Sequence, residues 1–395
     1  MNRDRRISRL ALVALLCMCS AYSWGRSDPA SIVIGKKFQL SSKILNEERT
    51  IWIYTPPNYQ TAVKSYPVIY LLDGDTHFHY VVGIVEHLSS IGRIPQMIVV
   101  AVPNTNRLRD FTPIHSLVNG IGQIDIAYDA TGGGDNFLKF LSDELIPYVD
   151  KNYRTQPYRI LEGHSLGGMF ATYVLETAPA LFNSYVIISA AFYGGNIAVL
   201  ESFGRFLSHH PELHKSVHVS IGEEPGLRRG VDSLVHQLKD HAPTSVRWGF
   251  HEYKNEDHMS VPLLSMYDGL RFAYSNWWID LNDTTKVPTF DALKAHFESI
   301  SEDLGYEVPP AEDIVNTFGY VLLFNRRKVD DAIMVFKENV KNYPASFNVY
   351  DSLGEGYMVK GENDLAITNY EKSIQLNPNN NNGKRMLAKL RAPAK

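Results

Sequence analysis

One serine stands between two glycines in Gly163-His-Ser-Leu-Gly167, inside the longer stretch YRILEGHSLGGMF at residues 158–170. An apolar start, a glycine-rich corner and an apolar continuation read as strand, sharp turn and helix. In such a turn the central residue takes strained backbone angles, and its neighbours must lack a Cβ to avoid collision. The Ser165 hydroxyl is then presented at the tip, above a helix N-terminus. A neutral hydroxyl attacks poorly, so it needs a base within hydrogen-bond reach and a third group to orient that base.

The chain has 14 histidines, so position must choose among them. His258 lies in the polar loop Lys254–Ser260 (KNEDHMS), just after the last strand-like run, where a general base belongs. His251 falls mid-strand and reads as structural, while His209, His210 and His214 sit in a polar stretch and read as solvated. The orienting acid should follow the preceding strand, and Glu223 and Glu224 come directly after the glycine that ends it. Glu224 is favoured and Glu223 is close behind. Asp257 is a third option, weakened because adjacent side chains on a chain diverge.

A developing oxyanion needs two backbone N–H donors. Leu166, just after the nucleophile, offers one. The turn Asp73-Gly74-Asp75, after the apolar run 68–72, offers the other through the amide of Asp75 or its neighbour. Gly74 would let this backbone approach the substrate, although alone the triplet reads as an ordinary turn. The order serine, acid, histidine, each after a strand, is that of α/β-hydrolases. This chemistry requires no metal and no organic cofactor.

The elements that must hold these residues are legible as short apolar runs: 68–72, 97–102, 159–161, 185–188, 217–221 and 247–250. Most are continuous rather than alternating, as strands buried on both faces of a parallel sheet should be. Amphipathic stretches separate them. Phe137, Phe140, Leu141, Leu145 and Val149 share one helical face, as do Val231, Leu234, Val235 and Leu238. Strands alternating with helices predict a mostly parallel, doubly wound α/β sheet. The better alternation of residues 49–54 predicts an antiparallel edge hairpin.

At 395 residues, 44% apolar and 21% charged, the composition suits a soluble globular protein. A formal charge of -4 leaves no basic footprint for nucleic acid. Arg3, Arg5, Arg6 and Arg9 precede the apolar run Leu10–Leu16 and a small-residue exit near Ser23. That pattern predicts a secretory signal over residues 1–24, too short in its apolar part to span a membrane, and hence a periplasmic or secreted protein. Both cysteines, Cys17 and Cys19, fall inside it, so the mature chain would carry neither disulfide nor thiolate.

Residues 30–283 are expected to form the catalytic domain, 284–308 a linker and 309–395 a small all-helical domain. Ala332, Phe336 and Pro344 recur as Ala366, Tyr370 and Pro378, each 34 positions later. Tyr350, Leu353, Gly354 and Tyr357 precede the second copy, whereas the first has Gly319 and Tyr320 where Leu and Gly belong. The pattern resembles the tetratricopeptide repeat, a helix–turn–helix unit with a small residue where two helices touch. Two such repeats and a closing helix near Arg385–Leu390 are expected to dock on the catalytic domain. The run Asn379–Asn382 reads as a solvated turn.

Residues 35–275 resemble the esterase family that includes esterase D, feruloyl esterases and enterobactin-type siderophore esterases. The resemblance rests on Tyr66–Asp75, Val99–Pro103, Arg109–Pro113, Leu145–Val149, Gly163–Gly168, Pro179–Phe182 and Glu256–His258, in that order. It implies a serine hydrolase with Ser165 as nucleophile and His258 as base. Two departures stand out. Ser189-Ala-Ala-Phe-Tyr193 replaces the family's Ser-Pro-Ser-type segment, and Glu162 occupies the strand before the elbow, where a small or apolar residue is usual. A carboxylate there must be hydrogen-bonded or lie at the sheet edge. It reads as a satisfied polar anchor, with a catalytic role as the alternative.

Together these features predict an exported carboxylic-ester hydrolase acting on a small-molecule ester. The resemblance also admits a catecholate-trilactone specialisation. The same elbow and base serve acyl transfer to an alcohol other than water. A non-enzymatic reading makes the hydrolase domain a scaffold and gives the repeats a protein partner or a second copy to bind.

Overall fold

The six apolar runs become strands of one eight-stranded sheet, five of them inner and the last, at 247–250, on an edge. A computed structural model describes residues 31–279 and 289–392; the expected signal segment, with Cys17 and Cys19, lies outside the described residues. The strands are β1 (Lys36–Ser42), β2 (Glu47–Tyr54), β3 (Tyr66–Leu71), β4 (Ile98–Ala101), β5 (Thr155–His164), β6 (Ser184–Ile188), β7 (Lys215–Ile221) and β8 (Val246–Glu252). Their spatial order is β1-β2-β4-β3-β5-β6-β7-β8. The β1–β2 hairpin and the β2–β4 pairing are antiparallel, and every other neighbour pair is parallel.

Because successive side chains of a strand point to opposite faces, a run buried throughout feeds two cores. Val68 and Tyr70 of β3 join a core with Phe137, Val149, Phe170, Phe203 and Leu234. Ile69 and Leu71 join a second core, on the other face, with Val81, Leu270 and residues of the C-terminal helices. The sheet is thus covered on both sides, in the α/β-hydrolase arrangement. The face running from Phe137 to Val149 is buried as the periodicity requires. Its path is less regular: the helix Gly134–Lys139 passes through a π-turn, Phe140–Leu145, into the helix Ile146–Asn152.

The stretch expected to be a linker contains a helix, Phe290–Leu304, capped by the Thr289 hydroxyl and ended by Gly305 at φ 73°. Leu293, Phe297, Ile300 and Leu304 recur at helical spacing and are buried. Phe290 stacks on Phe318 of the next helix, and Ile300 and Leu304 share a cavity with Tyr274 and Trp277, just beyond the helix Val261–Ala273. Residues 289–304 therefore pack as core rather than spanning a gap. Beyond them come two helix hairpins, led by Glu312–Tyr320 with Val329–Asn342 and by Phe347–Lys360 with Asn363–Leu376, and then Asn381–Arg391. A Cβ on Gly319 would stand 2.3 Å from the Phe336 ring, so glycine is what lets the first hairpin close. Among the described residues no helix is long and apolar enough to cross a membrane.

Candidate active site

The serine tip is built by four close backbone approaches. Ser165 takes φ 61° and ψ −118°, far from ordinary strand or helix values. Its N–H donates to the Ile188 carbonyl at 2.9 Å, and its carbonyl accepts from the Ala191 amide at 3.0 Å, so the end of β6 and the segment just after it grip the turn from both sides. A Cβ on Gly163 would lie 2.1 Å from the Gly167 carbonyl oxygen, and one on Gly168 would lie 3.0 Å from that of Ile188. Strand and helix meet at this corner only because those positions lack side chains. The helix Leu166–Thr177 starts immediately, and the N–H groups of its first turn have no intrahelical acceptor.

Ser165 and His258 line one cavity of about 740 Å³ at the carboxyl ends of the parallel strands. His258 Nδ1 lies 2.5 Å from Glu224 Oε2. The other carboxylate oxygen of Glu224 accepts from the Ser189 hydroxyl at 2.5 Å and from the Gly222 amide at 3.1 Å. Burial works to raise the Glu224 carboxyl, but the bonds from His258, Ser189 and Gly222 outweigh it and hold it below the usual glutamate value. The loop carrying His258 is tied to the acid's loop by the Glu223 amide, which donates to the Glu256 carbonyl at 2.7 Å.

The two other acids considered for this position face elsewhere. The Glu223 side chain is exposed. Asp257 accepts from the amides of Met259 and Ser260, both at 2.9 Å, and so caps the turn leading into the helix Val261–Ala273. His251 is exposed at the sheet edge against Tyr253, while His209 and His210 turn their Nδ1 atoms to backbone carbonyls of their own helix.

One expectation at the oxyanion turn is corrected. The Gly74 amide donates to the Val102 carbonyl at 3.1 Å and cannot serve a substrate oxygen. Glycine is needed there for a different reason: a Cβ would lie 2.6 Å from the Val102 nitrogen. The turn leaves β3 with Asp73 in left-handed geometry, φ 51° and ψ 41°, and enters the helix Gly74–Ser90. Asp75 is exposed in that first turn, and its carboxylate accepts from the Asn104 amide at 3.4 Å. Asp73, Thr76 and His77 face the cavity instead.

Sequence reasoning passed over most of this wall. Arg107 binds Asp73 through Nε and Nη2, at 2.6 and 2.9 Å, and its Nη2 also donates to the His164 carbonyl at 3.0 Å. Asn104 Nδ2 donates to Asp73 at 2.6 Å. Burial of Asp73 opposes ionisation, yet Arg107 and Asn104 overcome it and hold the carboxyl below the ordinary aspartate range. Glu162, wholly buried and paired in register with Leu71 and Val186, faces His77 Nδ1 at 3.1 Å. Burial raises the Glu162 carboxyl. It would by itself lower His77, but the charge and hydrogen bond of Glu162 prevail and raise it. Between the two pairs lies His164, its ring 4.4 Å from that of His258. Burial, with the nearby His258 and His77, pushes the His164 imidazole down to about 3, so it stays neutral.

Phe192 and Tyr193, in the segment that departs from the family pattern, line a separate cavity of about 580 Å³ with Gly226 and Leu227. Ser189, from the same segment, is the donor that steadies Glu224.

The family model described as "Putative esterase" matches residues 42–280. The ferri-bacillibactin esterase BesA of Bacillus subtilis is 27% identical over 269 residues, 63% of this chain and 93% of that protein. A crystal structure of an IroE-like serine hydrolase from Shewanella oneidensis superposes with a TM-score of 0.67 at 26% identity, covering 78% of this chain and 99% of that one. An uncharacterised protein from Capnocytophaga ochracea shares the fold more completely, at 19% identity, with a TM-score of 0.64 over 91% of this chain and 100% of its own.

Proposed function

The chain belongs to the esterase family whose model spans residues 42–280 and is a hydrolase of ester bonds; from that premise we propose that it works as an exported serine enzyme through an acyl-enzyme on Ser165. The observation that carries this reading is the Glu224–His258 pair, 2.5 Å apart, with His258 in the same cavity as a serine held at a strained elbow.

In this mechanism Ser165 Oγ attacks the ester carbonyl while His258 Nε2 takes its proton. Glu224 accepts from Nδ1–H, fixes the imidazole tautomer and stabilises the imidazolium that forms. The amides of Leu166 and Asp75, each at the start of a helix, supply the oxyanion donors, helped by the positive end of the helix dipole. His258 then protonates the departing alcohol, and water, activated by the same histidine, releases the acid. Export rests on the arginine-led apolar segment at residues 1–24.

The names of relatives favour a siderophore ester as the natural substrate, the ferri-bacillibactin esterase foremost among them. The helical hairpins after residue 309 are read as tetratricopeptide-like repeats, on the 34-residue recurrence of Ala332, Phe336 and Pro344. Replacing Ser165 with alanine should leave a folded protein with at least a thousandfold lower turnover of 4-nitrophenyl acetate. A folded Ser165→Ala protein at the wild-type rate would sink the reading.

A further inference from the structure

We propose that Arg107 is the substrate-recognition residue of the catalytic cavity, its free Nη1 taking a neutral oxygen acceptor, such as a hydroxyl, on the ester. This deepens the serine-esterase reading and rests on it. Three of the guanidinium's contacts are fixed by the protein: Nε and Nη2 hold the two oxygens of Asp73, and Nη2 also reaches the His164 carbonyl. The group lies 5.4 Å from the Phe111 ring centroid, against the ring's face. Among the described residues nothing accepts from Nη1, although the side chain is one-third exposed and lines the cavity beside Ser165. A planar fork locked on one edge presents its other edge in a set direction, so little freedom is lost when a substrate binds it.

The same contacts explain why the arginine stands where it does. Asp73 begins the turn that carries one oxyanion donor, and the His164 carbonyl belongs to the peptide bond that leads into Ser165. Arg107 therefore joins the two pieces of backbone whose spacing the oxyanion needs.

Charge decides the kind of acceptor. Arg107 already answers Asp73, Asp75 approaches it too, and Glu256 lines the same cavity. Further along the wall His77 is matched by Glu162. A carboxylate brought to Nη1 would meet more acidic than basic charge, whereas a hydroxyl or carbonyl oxygen meets a charged donor without that repulsion. The substrate class is thus a neutral ester carrying a second oxygen near the scissile bond.

The test compares kcat/KM for matched esters on wild type and Arg107→Lys. On the acyl side the set is 4-nitrophenyl 3-hydroxybutyrate, 4-nitrophenyl butyrate and mono-4-nitrophenyl succinate. On the alcohol side it is ethylene glycol monobutyrate and propyl butyrate. Wild type should favour one hydroxylated ester over its plain partner by about tenfold to a hundredfold, chiefly through KM. Arg107→Lys, which keeps the charge but loses the fork, should bring that ratio within about threefold. If Lys does not fold, the double variant Asp73→Asn/Arg107→Gln removes both buried charges and should show the same collapse.

A wild-type ratio near one on both sides, a ratio that survives in the variants, or preference for the succinate would each overturn the proposal. Labelling of Ser165 by a fluorophosphonate probe is run on the same samples. Labelled enzyme with no discrimination defeats only the Arg107 assignment, whereas unlabelled wild type defeats the serine-esterase reading and this proposal with it.

Discussion

Replacing Glu224 with glutamine changes one atom and reverses one hydrogen bond. Ser189 and Gly222 both donate to Oε1, so the amide oxygen of a glutamine must take that position. The amide NH₂ then faces His258 Nδ1, where a carboxylate oxygen now sits at 2.5 Å. His258 is forced into the tautomer that accepts at Nδ1 and carries its proton on Nε2, and it cannot take the Ser165 proton. A wrong-tautomer lesion of this kind costs about 10⁴-fold in kcat, or about 5 kcal/mol of transition-state stabilisation. Folding should be nearly unaffected, because two of the three bonds are unchanged and the third is only reversed. Glu223→Gln, at an exposed side chain, should stay within about threefold of wild type. Asp257→Asn should weaken only a turn cap, by about 1 kcal/mol of stability. The assay is 4-nitrophenyl acetate turnover, with circular dichroism to confirm folding. A folded Glu224→Gln enzyme within tenfold of wild type would refute the reasoning, as would a larger loss in Glu223→Gln.

Two further outcomes follow from the packing around the elbow. Gly163→Ala puts a methyl 2.1 Å from the Gly167 carbonyl oxygen, a backbone atom that cannot swing away, so it should lower unfolding stability by about 3 kcal/mol; a urea midpoint shift worth less than about 1 kcal/mol would contradict the close approach. The buried His77–Glu162 pair makes stability depend on pH in a set direction, since both groups titrate higher in the folded chain than in the unfolded one. The folded state then holds extra protons from about pH 4.3, where a free glutamate titrates, to beyond about 6.5, where a free histidine does, so the pair's contribution is greatest in acid and declines as pH rises. Substituting both by leucine should remove that decline. A melting-temperature difference between wild type and His77→Leu/Glu162→Leu that stays constant from pH 5 to 9 would show that the pair does not titrate so.

Much of this architecture was legible because it obeys local rules. Six apolar runs became six strands, and the glycines at 163 and 168 announced a corner that only small residues can turn. The loop position of His258, after the last strand, was legible, and the structure sets it against Glu224 in the cavity that Ser165 lines. The choice between Glu223 and Glu224 was not, because it depends on which way two adjacent side chains leave a turn. The Arg107–Asp73 pair was hidden for a related reason: its partners are 34 residues apart, and two charged residues in polar loops look solvated until a fold joins them. Gly74 was read as making room for substrate, whereas it makes room for the chain at Val102. The helix Phe290–Leu304 is a different kind of miss. Its signal was present, since Leu293, Phe297, Ile300 and Leu304 have helical spacing, but it stood in a stretch whose composition suggested a connection.

The central claim is that Ser165 is an activated nucleophile, and the most direct measurement is covalent labelling of the protein by a fluorophosphonate probe, wild type beside Ser165→Ala. The account predicts stoichiometric labelling of wild type, with the adduct mapped to the peptide containing Ser165, and none of the alanine variant. Equal labelling of both proteins, or none of a folded wild type, would contradict it.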